Sequence, residues 1–184
     1  MLEQQSPTLS DLTGDLDYWS FVDLAQKRLD EEFYDNDARA TRVVLSLSRA
    51  ASQVVYDLES SIHRPRGWSW AAFRLMFVLW LAGPMESSKA AHLAGMSRAA
   101  VSNLTNSMLT NGYLSKEAAT QDRRSVTISI TEVGREKIRE AFLEHNAREA
   151  MWANTLTEVE QDLLVMLLRK LMSTRGSVSA KSRS

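Results

Sequence analysis

The sequence predicts a mainly helical fold with one small β-hairpin, and three observations support that fold class. Only seven of the 184 residues are glycine and three are proline, a composition that favours helices. Apolar residues recur at spacings of three and four along most of the chain. Between Met96 and Thr131, a helical pattern precedes two strand patterns that flank a basic segment. A helix followed by a basic two-stranded ribbon is typical of a winged helix-turn-helix, in which the helix enters the major groove of DNA.

The composition indicates a soluble, cytoplasmic protein without a cofactor. Hydrophobic residues make up 44% of the chain, which is enough for a sizeable core. No run of about twenty apolar residues is present to span a membrane, and the acidic opening residues do not resemble a signal peptide. The absence of cysteine excludes disulfides and thiolate metal sites.

Charge is segregated along the chain although the net charge is only −1. Residues 1–37 contain ten acidic and two basic residues, whereas residues 64–137 contain ten basic and five acidic residues. Residues 169–184 contain five basic residues and no acidic ones. Ordinary variation along a helical surface could explain these differences, but the basic middle segment coincides with the predicted helix and hairpin. It is therefore the candidate nucleic-acid face.

Two helices are predicted before the basic segment. After a lead-in of 14 residues, a helix is expected from Asp15, with an apolar stripe formed by Tyr18, Val22, Ala25, Leu29 and Phe33. A second helix is expected over residues 37–62, with these residues facing inward: Val43, Val44, Leu47, Ala51, Val54, Val55, Leu58 and Ile62. The segment 64–67 breaks it with Pro65 and Gly67.

Capping residues divide the middle of the chain. Ser69 can cap a third helix that is apolar on nearly all sides and is therefore expected to be central, and Gly83 ends it. A short helix follows from Ser87 or Ser88 through Leu93, and Ser97 caps the next helix, which carries inward Val101, Leu104 and Met108. Strands are predicted over residues 113–117 and 126–130, joined by the basic tip 120–125.

The last third of the chain predicts two long helices. Thr131 can cap a helix that continues to about Ala153, and Thr157 with Glu160 forms a capping box for a helix ending near Ser173. Leucine and methionine cover more than one face of that helix. We expect one face to pack on its own chain and another on a partner chain. The tail, residues 174–184, is expected to be disordered.

Four separated pieces of the sequence resemble the MarR family of bacterial transcription regulators: residues 95–104, 111–114, 122–124 and 130–135. The likeness covers roughly residues 37–173. It implies a homodimer whose first and last helices interleave above two winged helix-turn-helix lobes. It also implies binding to a pseudo-palindromic operator, usually as a repressor, and release by a small aromatic or phenolic ligand.

The predicted domain organisation follows from these assignments. Residues 1–36 form an acidic extension with one amphipathic helix, and residues 64–130 form the DNA-binding lobe. Residues 37–63 and 131–173 form the helical dimerisation region, and residues 174–184 form the basic tail.

The polar face of the predicted recognition helix is the candidate for base reading, and it comprises Arg98, Ala99, Ser102, Asn103 and Asn106. Asparagine can read adenine, arginine can read guanine and alanine can contact a thymine methyl, with about 1–3 kcal/mol of discrimination for a good pair. The alternative is a solvated helix face.

In the wing, Arg124 is the candidate for minor-groove insertion, and Asp122 can hold its guanidinium. Arg123 and Lys116 are expected to contact phosphates. An ordinary hairpin ion pair between Asp122 and Arg124 is the alternative.

A candidate effector site lies around the start of the third helix, where the resemblance implies a ligand pocket. The residues are Arg64, Arg66, Trp68, Trp70, Phe73 and Arg74. Aromatic walls with a guanidinium suit an aromatic carboxylate or phenolate. Trp19, beside Tyr18, is a further candidate because some family members with an added N-terminal helix use a tryptophan there. Packing in the core is the alternative for all the tryptophans, and contact with DNA phosphate is the alternative for Arg64 and Arg66.

Two other function classes remain as alternatives. One is a winged-helix protein-interaction module that does not bind DNA, and the other is a DNA-binding regulator without a ligand. An enzyme is not expected, since His63, His92 and His145 are far apart in sequence and lack metal-ligand spacing. Phosphate-binding loops and nucleophile elbows are absent from the sequence.

Overall fold

A computed structural model describes residues 16–118 and 126–173. The chain divides between Val54 and Val55 into two compact units, which are described separately. Within these described ranges, no helix combines the length and the hydrophobicity needed to cross a membrane.

The first unit contains helix α1 (Tyr18–Glu32) and most of helix α2 (Ala38–Leu58). The Asp17 carboxylate accepts a hydrogen bond from the Ser20 N–H at 2.7 Å, so α1 begins at Tyr18 rather than at Asp15. Val22 is buried as predicted, whereas Phe33 lies beyond the helix and is exposed.

The inward face predicted for α2 is confirmed at its end, where Leu58 and Ile62 are buried, but the prediction is wrong for Val43, Val44, Leu47 and Ala51, which are exposed in the single chain. The periodicity shows that these apolar side chains share a face, but nothing in the described part of one chain covers them. The helix also ends earlier than predicted. After Leu58 it continues as a π-helical turn (Glu59–His63) and one 3₁₀ turn (Arg64–Arg66), and Gly67 then takes a left-handed φ of 73°.

Helix α3 (Trp70–Ala82) lies at the centre of the second unit, as predicted. The Ser69 hydroxyl accepts a hydrogen bond from the Ala72 N–H at 3.1 Å, and the helix ends at Gly83. Its buried residues are Ala72, Phe73, Leu75, Met76 and Leu79. It contacts the π-helical turn that precedes it, and three helices and one strand that follow it in sequence.

The winged helix-turn-helix follows α3 and is formed by strand β1 (Met85–Glu86), helices α4 (Ser87–Leu93) and α5 (Arg98–Thr110), and strands β2 (Leu114–Ala118) and β3 (Val126–Ile130). The antiparallel order is β1-β3-β2, with Met85 opposite Ile128 and Leu114 opposite Ile130. The sequence analysis missed β1, because a two-residue strand is too short to show alternation. The predicted mainly helical fold with a hairpin is confirmed.

Two helices complete the second unit, α6 (Glu132–Ala153) and α7 (Glu158–Ser173). The capping box at the start of α7 forms as predicted, since the Thr157 N–H donates to the Glu160 carboxylate at 2.8 Å. The expected packing of one α7 face on its own chain is wrong, because no residue of this helix is buried. Even Leu167, in mid-helix, is 50% exposed.

Candidate nucleic-acid interface and ligand cavity

Helix α5 is anchored by its buried face and by its cap. Val101, Thr105 and Met108 are buried, and the Thr105 hydroxyl donates to the Val101 carbonyl at 2.7 Å. The Ser97 hydroxyl accepts a hydrogen bond from the Ala100 N–H at 3.1 Å. These contacts fix which face of α5 points away from the core.

The outward face of α5 carries the five residues predicted from the sequence, and all of them are exposed: Arg98, Ala99, Ser102, Asn103 and Asn106. Among the described residues, the side chains of Arg98 and Asn103 have no hydrogen-bond or ion-pair partner. Their donors and acceptors are therefore available to a ligand outside the protein.

The wing is described only in its strands. Lys116 is exposed on β2, and its Nζ donates a hydrogen bond to Asn106 Oδ1 at 2.8 Å. Asp122, Arg123 and Arg124, the other predicted wing residues, lie outside the described residues.

Thr131 connects the end of the recognition helix to the start of α6. Its hydroxyl donates to the Gly112 carbonyl at 2.7 Å and accepts from the Gly134 N–H at 3.0 Å. Its own N–H donates to the Tyr113 carbonyl at 3.0 Å. A Cβ atom on Gly134 would lie 2.2 Å from the Tyr113 oxygen, so only glycine permits this close approach.

A cavity of about 450 Å³ lies between α3, α6 and the turn that leads into α5. Its lining includes Trp70, Phe73 and Phe77, whose rings stack in sequence with centroid separations of 5.8 and 5.7 Å. Residues 93–95, which connect the two helices of the helix-turn-helix, line it on another side. Its volume and aromatic walls suit a small planar ligand.

Three polar side chains line the same cavity. The Arg74 guanidinium carbon lies 5.9 Å from the centre of the Trp70 ring, and its buried Nε has no partner within the part of the chain that the structure describes. His145 Nε2 lies 3.0 Å from a Glu149 oxygen, which leaves the buried Nδ1 of His145 without a partner in the same part. Burial lowers the pKa of His145, and Glu149 opposes that shift. The cavity therefore offers a cation, an imidazole and a carboxylate.

A second histidine lies next to this cavity and was missed by the sequence analysis. The ring centre of His63 is 4.3 Å from that of Phe73 and 5.1 Å from that of His145. His63 is fully buried, and neither ring nitrogen has a partner among residues 16–118 and 126–173. Burial, followed by the neighbouring His145, lowers the pKa of His63 to about 4. No sequence pattern indicates that residues so far apart meet.

The other predicted effector residues do not line this cavity. Arg64 is exposed and pairs with Glu59 at 3.2 Å, while Trp19 is exposed in the first unit beside Tyr18. Arg66 donates to the Glu144 carboxylate at 2.6 Å. Together with Trp68, Arg66 lines a smaller cleft of about 240 Å³. Of the predicted set, only Trp70, Phe73 and Arg74 line the larger cavity.

The Asp57 carboxylate links the end of α2 to the end of α6 through hydrogen bonds. Arg148 donates to both oxygens of Asp57, at 2.7 and 2.5 Å, and Trp152 Nε1 donates to it at 2.8 Å. Hydrogen bonds from Arg148 and then from Trp152 lower the pKa of Asp57 to about 2. This network fixes the part of α6 that carries His145 and Glu149.

Comparison with known proteins gives the same functional class as this geometry. A sequence model of the MarR family matches residues 68–126. The uncharacterized HTH-type transcriptional regulator YwaE of Bacillus subtilis (strain 168) is 33% identical over 132 residues, which cover 72% of this chain and 77% of YwaE. A transcriptional regulator rather than an enzyme is therefore confirmed.

Two solved structures share the fold at low sequence identity. Sco3205, a MarR family regulator from Streptomyces coelicolor in complex with DNA, has a TM-score of 0.69 at 21% identity over 74% of this chain and 88% of its own. Bordetella bronchiseptica BpsR, whose DNA binding is regulated by 6-hydroxynicotinic acid, has a TM-score of 0.66 at 21% identity over 71% of this chain and 98% of its own. On the strength of the YwaE relationship and the family match, the chain belongs to the MarR family of transcriptional regulators.

Proposed function

We propose that this regulator is a homodimeric repressor that binds a pseudo-palindromic operator and is released by a small aromatic acid or phenol. The exposed polar face of α5, held rigidly on a buried core, carries the proposal. A recognition helix must keep its base-reading side chains in register with the groove. The packing of α5 on the core meets that requirement.

In the proposed complex, the first turns of α5 lie in the major groove. Arg98 reads guanine, Asn103 reads adenine and Ala99 contacts a thymine methyl. Arg124 inserts into the adjacent minor groove, held by Asp122, while Arg123 and Lys116 contact phosphates. Ser102 and Asn106 complete the exposed face.

A second copy of the chain is the proposed cover for the apolar residues of α2 and α7. Val43, Val44 and Leu47 on α2 are exposed, as are both methionines and all but one of the leucines along α7. Exposed apolar surface on this scale is uncommon in a monomer and marks a protein interface. A two-fold dimer would place its two recognition helices about 34 Å apart, in successive major grooves of one operator.

The cavity lined by Trp70 and Arg74 is the proposed effector site. A carboxylate or phenolate would pair with the Arg74 guanidinium, and the ring would stack on the aromatic wall. The regulation of BpsR by 6-hydroxynicotinic acid supports a ligand of this kind. Residues 93–95 line the cavity and lead into α5, so a ligand there contacts the segment that positions the recognition helix. Bound ligand would shift the population toward a lobe spacing that no longer fits the operator.

The operator proposal is tested by selecting genomic fragments with purified protein at near-physiological salt, beside Arg124→Ala. The wild type should enrich a palindromic site, and Arg124→Ala should lose most of that enrichment. Arg28→Ala is the matched control, because it removes an exposed arginine of α1 and should enrich the same site. If the wild type enriches nothing, DNA recognition is refuted and the protein-interaction alternative gains support.

The effector proposal is tested by titrating hydroxylated aromatic carboxylates into the protein–operator complex and following fluorescence anisotropy. An active compound should release DNA from the wild type but not from Arg74→Gln, which loses the cation in the cavity. Arg64→Gln changes an exposed arginine outside the cavity and should respond as the wild type does. If no such compound alters operator affinity or the melting temperature, the regulator acts without this class of ligand.

A further inference from the structure

We infer that Asn106 and Lys116 act together as a phosphate-binding pair, so that adenine reading on α5 falls to Asn103 alone. The inference rests on the proposed operator binding and assigns different DNA contacts to Asn106 and Asn103. The observation that carries it is the 2.8 Å hydrogen bond from Lys116 Nζ, on β2, to Asn106 Oδ1, on α5.

This hydrogen bond determines which donor and acceptor groups of Asn106 remain available to DNA. An ammonium group has only donors, so the Asn106 atom that faces Lys116 is the amide oxygen. Asparagine reads adenine by accepting a hydrogen bond at this oxygen from the N6 amino group while its nitrogen donates to N7. At Asn106 the amino group of adenine would have to approach an oxygen that already faces a positive charge. The pair therefore disfavours adenine.

Apart from the second lone pair of Asn106 Oδ1, the groups that remain on the pair are donors. Two amide N–H groups of Asn106 and two ammonium N–H groups of Lys116 are left, next to one positive charge. This arrangement suits an anionic acceptor, because hydrogen bonds between charged groups are shorter and stronger than neutral ones. A phosphate oxygen and the edge of guanine both present acceptors, but only the phosphate is charged.

The position of the pair also favours phosphate. Base contacts in helix-turn-helix proteins come from the first residues of the recognition helix. Asn106 lies eight residues after Arg98, or about 12 Å further along the helix axis. Its partner belongs to the wing strand and not to the helix, so the pair bridges two elements at the edge of the reading surface.

The backbone on each side of the pair is packed on the core. Lys116 lies two residues after buried Leu114 and opposite buried Ile128, which anchor the strand that carries its exposed side chain. Asn106 directly follows buried Thr105. Two side chains that already share a hydrogen bond lose less conformational entropy when they bind phosphate.

Asn103 differs from Asn106 because its amide has no partner among residues 16–118 and 126–173. It lies three residues earlier, on the same exposed side of α5. No side chain or backbone group of the described residues bonds to its amide, so both the oxygen and the nitrogen can contact one adenine.

The test compares the full-length wild type with the variants Lys116→Met, Asn106→Ala and Asn103→Ala. One measurement is the selection of sites from randomised operators, and the other is the salt dependence of operator affinity. Lys116→Met should weaken binding to every sequence by the same factor and reduce the slope of log K against log salt by about 0.9 per subunit. Asn106→Ala should also weaken binding uniformly. Asn103→Ala should relax the preference for adenine at one position of each half-site, by about tenfold.

Two results would overturn the inference while the proposed function stands: relaxed base preference in Asn106→Ala, or an unchanged salt slope in Lys116→Met. Unchanged base preference in Asn103→Ala would refute the role given to Asn103. A wild type that selects no site would instead refute the proposed function itself. Lys27→Met removes an exposed lysine of α1 and should leave both measurements unchanged. Because all three substituted residues are exposed, equal melting temperatures are expected and would exclude misfolding as the cause.

Discussion

Acid should destabilise this protein through His63. Its pKa falls from 6.5 to about 4 in the folded chain, because the imidazole is buried and His145 lies beside it. The unfolded chain therefore takes up a proton below pH 6.5 that the folded chain does not accept until about pH 4. Stability is complete above pH 6.5 and falls with the pH through this window. At 1.36 kcal/mol per pKa unit the full loss is about 3 kcal/mol, and most of it is reached at pH 4.5.

The variant His63→Phe isolates this contribution. A phenyl ring can keep the stacking on Phe73, and no hydrogen bond is lost, because neither ring nitrogen of His63 has a partner within the described residues. Urea unfolding at about pH 7.5 and about pH 4.5, at fixed protein concentration, gives the free energy of unfolding for each protein. The variant should lose about 2–3 kcal/mol less than the wild type between the two pH values.

The control for this experiment is His92→Gln. His92 is exposed on α4, so its substitution should leave the acid dependence of the wild type in place. The reasoning fails if His63→Phe loses as much stability in acid as the wild type. It also fails if the His63 resonances titrate near pH 6.5 in the folded protein.

Two further predictions concern contacts that hold α6. Asp57→Asn should lower the free energy of unfolding at neutral pH by about 2 kcal/mol, because the folded pKa of about 2 lies below the ordinary 3.8. The difference from wild type should persist above pH 3.8 and disappear as the pH falls towards 2, which urea titrations would show. Gly134→Ala should cost about 3 kcal/mol or more, because its Cβ would overlap the Tyr113 carbonyl. Gly112→Ala meets open space and should cost only about 1 kcal/mol for its positive φ, so similar melting temperatures for the two variants would contradict this account.

Features set by neighbours in sequence were predicted well. The caps at Ser69, Ser97 and Thr131 form as expected, because a capping hydroxyl needs only the backbone N–H three residues later. Trp70 and Arg74 were placed in one pocket, and their spacing of four residues on α3 puts them on one face. Trp68 precedes that helix and packs near Tyr113 instead.

Features that depend on distant residues were not predicted. Strand β1 exists only because Met85 pairs with Ile128. The contact between His63 and His145 joins two elements that are far apart in the sequence. The burial of α7 was wrong for a different reason. An apolar face such as that around Leu167 shows that a cover is required, but the sequence of one chain does not say which chain provides it.

The hydroxyl of Thr131 also restricts how the lobe can move. It holds the carbonyl of Gly112, just past the end of α5, and the first turn of α6 at the same time. Gly134 also packs directly against the Tyr113 carbonyl, which leaves this junction without open space. A rotation of the first turn of α6 would therefore have to break these hydrogen bonds or carry the C-terminal end of α5 with it.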